Sequence, residues 1–101
     1  MKALIVGCGR VGAELAGLLD LAQHQVTVLD LEEANFEKLP DAFKGETRLG
    51  DGTDGDTLVE AGVRQADALV ALTESDNRNI LIAQLAKHIY NVPRAFCRIN
   101  D

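Results

Sequence analysis

The chain has 101 residues, enough for one domain with a single modest core. Its 16 acidic and 10 basic residues give a formal net charge of −6, and no basic cluster is interleaved with aromatics, which argues against a nucleic-acid partner or an anionic membrane surface. No apolar run approaches the ~20 residues needed to cross a bilayer, so direct membrane insertion is not expected.

The start, Met1-Lys2-Ala3-Leu4-Ile5-Val6-Gly7, is too short and too glycine-interrupted for a signal peptide and reads as a first strand over Ala3–Val6. From Arg10 to about Ala22, apolar residues at Val11, Leu15, Leu18, Leu19 and Ala22 recur with helical spacing and predict a buried helix face. Gln25–Asp30 is the second strand. Glu32–Leu39 is a short helix stopped by Pro40. Glu46–Gly50 is a weaker third strand. Asp54–Ala61 is a short helix capped by Thr53 or Asp54 and closed by Gly62. Asp67–Leu72 is the fourth strand. Asp76–Tyr90 is a long helix, capped by Ser75 or Asp76, whose predicted buried face is Ile80, Leu81, Ala83, Leu85, Ala86 and Ile89. Arg94–Ile99 is the fifth strand. With only Phe36, Phe43, Tyr90 and Phe96 as aromatics, the core must be aliphatic.

Strands alternating with crossover helices impose parallel pairing and right-handed connections. The expected fold is therefore α/β: a Rossmann-like, doubly wound parallel sheet of five strands, order 3-2-1-4-5, in a three-layer αβα arrangement. Residues 1–101 form one domain. The switch point lies between the first and fourth strands, and ligands of such sheets bind outside the C-terminal strand ends there. Gly7–Gly12, Asp30, Gly50–Thr53, Leu72–Ser75 and Arg98–Asp101 occupy those ends.

Gly7-Cys8-Gly9-Arg10-Val11-Gly12 is a Gly-x-Gly-x-x-Gly turn between a strand and a helix. Gly7 permits the turn, Gly9 lets a pyrophosphate approach the backbone, and Gly12 lets the helix pack close to the sheet. The amides of Arg10 to Gly12 open a helix and favour an anion. Asp30, 18 residues beyond Gly12, can accept hydrogen bonds from both ribose hydroxyls and would repel a 2′-phosphate. This favours NAD(H) or an adenine nucleotide (AMP, ADP, ATP) over NADP. Arg10 can reach a terminal phosphate. The turn Gly50-Asp51-Gly52-Thr53-Asp54 can pass beneath the adenine, with Asp51 reading its amino group, or can serve only as a helix entry. Thr73 faces the crevice from the fourth strand, or its segment is a plain cap. Cys8 is either a small filler or a thiol activated by the helix N-terminus. Cys97 reads as core, and His24 and His88 lack partners. The two cysteines, far apart and without metal spacing, fit a reducing compartment.

Several segments together resemble the N-terminal nucleotide-binding domain of Trk/Ktr-type potassium-uptake regulators, the RCK or KTN (TrkA-N) domain. They are the glycine turn, Val28-Leu29-Asp30, Gly50-Asp51-Gly52-Thr53-Asp54 with Glu60-Ala61-Gly62-Val63, Ala66-Asp67-Ala68 through Thr73, Asp76-Asn77 with Asn79, and Pro93-Arg94 with Arg98-Ile99-Asn100-Asp101. The resemblance covers nearly the whole chain. It implies a nucleotide-binding regulatory domain and not an enzyme. Such a domain is cytoplasmic, held at the inner face of the plasma membrane by a potassium transporter or channel subunit, and assembles as a homodimer or larger homo-oligomer. By matched position, Gly7, Cys8, Gly9, Arg10, Val11 and Gly12 would hold phosphates, Asp30 with Leu31 the ribose, and Asp51, Gly52 and Thr53 the adenine side. Thr73 and Arg98 would line the far wall. Relatives of this kind continue beyond a fifth strand, so truncation there is expected. The alternative is a small NAD-dependent oxidoreductase domain or fragment, which would need a His, Lys or Tyr at the cleft; none is evident in the strand-end segments.

Overall fold

The apolar run after Lys2 forms the middle of the sheet. In the computed structural model, β1 (Lys2–Val6) pairs with β2 (Gln25–Asp30) on one side and β4 (Ala68–Ala71) on the other. β3 (Glu46–Leu49) lies outside β2, and β5 (Arg94–Cys97) lies outside β4. All pairings are parallel and the order is β3-β2-β1-β4-β5, as expected. The structure describes residues 1–100, so Asp101, expected at a strand end, lies outside the described residues.

Alternate residues of β1 enter two separate cores. Leu4 and Val6 join Leu58, Leu69, Ile82 and Ala86 beneath α2 (Gly55–Glu60) and α3 (Asp76–Gln84). Ile5 joins Ala13, Ala16, Val26 and Val28 beneath α1 (Arg10–Leu21). Each fully buried Leu, Ile or Val contributes about 1.5–3 kcal/mol by leaving water. The chain winds one way through β1, β2 and β3 and back through β4 and β5, which places helices on both faces.

Three elements depart from expectation. The buried side of α1 is Gly12, Ala13, Ala16 and Gly17, while Val11 and Leu18 are exposed. The small residues face the sheet because they let the helix axis approach closely; of the predicted face, Leu15 and Leu19 pack against the edge of this core, while Val11, Leu18 and Ala22 are exposed. On α3 the buried residues are Asn79 and Ile82, and Ile80, Leu81 and Ile89 are exposed. The predicted single helix to Tyr90 instead passes after Gln84 into a π-helical turn, Leu85–Ile89, in which Ala86 is buried. The segment after β2 is a 3₁₀ turn, Glu33–Lys38, with no fully buried residue. Too few apolar contacts anchor it to hold a full α-helix.

The expected punctuation does appear elsewhere. Ser75 caps α3, its hydroxyl accepting from Arg78 N at 3.2 Å. Gly62 ends the α2 region in the left-handed conformation, φ +93°. His24 has a partner after all: its Nδ1 accepts from the Met1 ammonium at 3.0 Å. Among the described residues, no helix is long and apolar enough to cross a membrane.

Candidate functional site

At the C-terminal ends of β1 and β4 the two halves of the winding diverge and leave a cleft of about 500 Å³. The glycine turn forms its floor. Gly7 has φ +110°, and a Cβ there would lie 2.6 Å from the backbone of Leu72. A Cβ on Gly12 would fall 1.9 Å from Gly7 O, so this position sets the depth at which α1 sits on the sheet. A Cβ on Gly9 would meet nothing within 4 Å. That open side belongs to the cleft.

Gly9 is also the N-cap of α1. It supplies no side-chain hydrogen bond, and the first turn carries no acidic residue. The amides that open α1 are thus left without a side-chain cap, at the positive end of the helix dipole. Arg10, in the same turn, lines the cleft. An anionic group fits these residues.

Asp30 ends β2 at the adjoining wall. Its Oδ2 accepts from Cys8 N at 2.7 Å; its Oδ1 accepts from Glu32 N at 2.8 Å and from Asn35 Nδ2 at 2.9 Å. The carboxylate therefore ties the glycine turn to the segment after β2. Of the roughly four lone-pair directions of a carboxylate, three are taken, which leaves room for one hydroxyl where two were expected. Leu31, Asn35 and Lys38 continue this wall, with Lys38 Nζ donating to Asn35 Oδ1 at 2.8 Å. Asn35 and Lys38 were missed by sequence reasoning. Lys38 also corrects the expectation that no His, Lys or Tyr reaches the cleft.

The far wall is built on Asn79, which is fully buried. Its Oδ1 accepts from Thr73 N at 2.8 Å and Thr73 Oγ1 at 2.6 Å. Its Nδ2 donates to Thr73 O at 3.1 Å and Arg98 O at 3.0 Å. One side chain thus fastens the strand ends of β4 and β5 together. Arg98 Nη2 donates to the carbonyls of Leu72 and Thr73, at 3.4 and 3.1 Å. Its Nε is buried and has no partner among the described residues. Thr73 and Arg98 both line the cleft, as predicted by position.

The Gly50–Asp54 turn behaves differently. Gly50 and Gly52 line the cleft, but Asp51 and Thr53 do not. Asp51 Oδ1 accepts from Thr53 N at 2.9 Å and Thr53 Oγ1 at 2.7 Å, and forms an ion pair with Arg78. These contacts, the Thr53 hydrogen bonds first, hold the Asp51 carboxyl below the usual carboxylate range. Arg78, another residue missed, does line the cleft.

Cys8 is fully buried, and burial, then the Asp30 charge, push its thiol upward. Of the two readings of Cys8, this supports the small filler over the activated thiol, because a buried thiolate loses its solvation. A larger hollow of about 900 Å³ lies at the opposite strand ends, around Lys2, Gln25 and Glu46. Its lining includes Gly45 and Gly62 but neither the Gly7–Gly12 turn nor the start of α1. Among the described residues, no cluster of three or more His, Cys, Asp or Glu is placed to hold a metal ion.

The doubly wound parallel sheet, with a glycine turn at its switch point, defines a Rossmann-type domain. The chain belongs to the TrkA-N domain family, whose model matches residues 3–101. It is 41% identical over 101 residues to the Trk system potassium uptake protein TrkA of Streptomyces coelicolor, covering 100% of this chain and 45% of that protein. It thus spans about half the length of the curated relatives it first matches. Among solved structures it is similar to the AMP-bound Kef C-terminal domain of Shewanella denitrificans, with TM-score 0.79 and 25% identity, covering 100% of this chain and 60% of that one. The RCK domain of GsuK is likewise similar, with TM-score 0.80 and 28% identity over 96% of this chain and 20% of that one.

Proposed function

We propose that this domain is a regulatory sensor of NAD(H) or an adenine nucleotide (AMP, ADP or ATP) within a potassium-uptake system. The observation that carries the reading is the uncapped start of α1, open at Gly9 and flanked by Arg10, one cleft wall away from the carboxylate of Asp30. A phosphate would take the α1 amides and Arg10, and a ribose hydroxyl the free lone pair of Asp30. The AMP in the similar Kef domain and the names of the curated relatives support ligand class and setting. A sensor needs no proton donor poised over a reacting atom. Lys38, the one His, Lys or Tyr lining the cleft among the described residues, is hydrogen-bonded to Asn35 beside Asp30.

In this reading the domain acts through a membrane potassium transporter or channel subunit at the cytoplasmic face, as a homodimer or larger homo-oligomer. The ligand shifts the assembly by binding one of its states more tightly. Thermal unfolding with AMP, ADP, ATP, NAD+ and NADH tests the ligand. At 100 times Kd the stabilisation is about 2.7 kcal/mol, which raises Tm on the order of 10 °C for a domain of this size. Asp30→Ala should remove that rise. A melting temperature indifferent to all five ligands at millimolar concentration refutes the reading.

A further inference from the structure

Asp51 was expected to read the amino group of a purine, but its Oδ1 is filled by Thr53 N, Thr53 Oγ1 and Arg78 Nη2. The residue that enters the cleft from this side is Arg78, on the first turn of α3. We propose that Arg78 is the base-reading residue of the cleft: its guanidinium, pinned by Asp51, is the face on which the purine ring of an adenine nucleotide lies. The inference rests on the nucleotide reading above and deepens it.

A ribose at Asp30 with its phosphate over Gly9 and Arg10 must direct the base, bonded at the opposite end of the sugar, to the remaining wall. The lining residues on that side are Gly50, Gly52, Glu74, Ser75 and Arg78. The glycines offer no side chain, and the Ser75 hydroxyl is committed to Arg78 N. Of these, Arg78 presents the flat cationic surface, and guanidinium planes stack on aromatic rings, whereas the Glu74 carboxylate is an anion that the electron-rich face of a ring does not favour. A single one of its N–H groups is engaged, with Asp51, so the group is held in place without being saturated. Holding it in advance lowers the side-chain entropy lost when a ligand arrives. A phosphate contact is the competing assignment, but Asp51 already balances the Arg78 charge. An electrically balanced pair attracts an anion weakly and still offers its face to a ring.

The test measures binding of AMP by calorimetry and of ribose 5-phosphate by NMR titration, for the unaltered chain, Arg78→Ala, Arg78→Lys and Asp51→Asn. Circular dichroism confirms that each variant is folded. Arg78→Ala should weaken AMP about tenfold, between the scales of an exposed and a fully desolvated cation–π contact, as suits a half-buried guanidinium. Arg78→Lys, which keeps the charge but not the plane, should fare little better, and ribose 5-phosphate should bind all four proteins alike. Asp51→Asn keeps an acceptor for Thr53 while loosening Arg78, so its AMP loss should be smaller. Full AMP affinity in Arg78→Lys or Arg78→Ala, or equal losses of AMP and ribose 5-phosphate, overturns the base assignment and leaves the nucleotide reading standing. If the unaltered chain binds none of AMP, ADP, ATP, NAD+ and NADH, both fall.

Discussion

Replacing Asn79 by alanine removes four hydrogen bonds from a site with no solvent exposure: two accepted from Thr73 and two donated to the carbonyls of Thr73 and Arg98. Each is worth about 0.5–1.5 kcal/mol net, and water can reach some of the orphaned groups, so the expected loss is about 3 kcal/mol. For a domain of this size that is a fall in Tm of roughly 12–24 °C. Asn79→Asp sharpens the test. It keeps the acceptor for Thr73 but turns a second oxygen toward two carbonyl oxygens and buries a charge. It should cost at least as much as Asn79→Ala at neutral pH and recover as the pH falls and the carboxyl protonates. Urea unfolding followed by far-ultraviolet circular dichroism measures both. A loss under about 1 kcal/mol for Asn79→Ala, or an Asn79→Asp protein more stable than Asn79→Ala at pH 7, would refute the description of this hub.

Gly12→Ala should lose more than about 3 kcal/mol or fail to fold, because its Cβ would strike Gly7 O, whereas Gly9→Ala should melt as the unaltered chain does and bind AMP poorly. Equal melting temperatures for the two variants would contradict this. Cys8, buried and beside Asp30, should react with an alkylating agent at neutral pH far more slowly than the part-exposed Cys97; mass spectrometry of the labelled peptides decides, and faster labelling of Cys8 defeats it. The Asp51 carboxyl titrates lower folded than unfolded, so its contribution is complete above the ordinary carboxylate range and fades as pH falls through the folded value. The stability gap between the unaltered chain and Asp51→Asn should therefore shrink on acidification; a gap that widens reverses the sign and the argument.

The sheet order was legible because strand and helix patterns alternate and crossovers have a fixed hand. The helix faces were not. Hydrophobic periodicity weighs Val11 and Leu18 above Gly12, Ala13, Ala16 and Gly17, yet close packing on a sheet selects the small residues. The glycine turn, Asp30 and Thr73 could be placed on the cleft from local pattern, and Arg98 from its matched position in the resembled family. Asn35, Arg78 and Asn79 could not, because their partners depend on tertiary approach; Arg78 and Asp51 are 27 residues apart. One signal was available: Asn79 is in phase with the buried Ile82 and Ala86, and a polar residue on a buried stripe calls for partners.

The row of small residues under α1 has a consequence for how the two sides of the cleft respond to an occupant. Gly12, Ala13, Ala16 and Gly17 have no rotamers to rearrange, so the height of the helix and the aim of its first amides are set by the backbone. Gripping an anion there requires almost no ordering. The other contacts include Arg10, whose long side chain loses freedom when it engages, whereas Arg78 and Arg98 are already held by Asp51 and by the carbonyls of Leu72 and Thr73. The rigid side would give all phosphate-bearing ligands a common baseline affinity. Discrimination among them would arise where side chains must be immobilised, through the ordering cost each ligand demands of them.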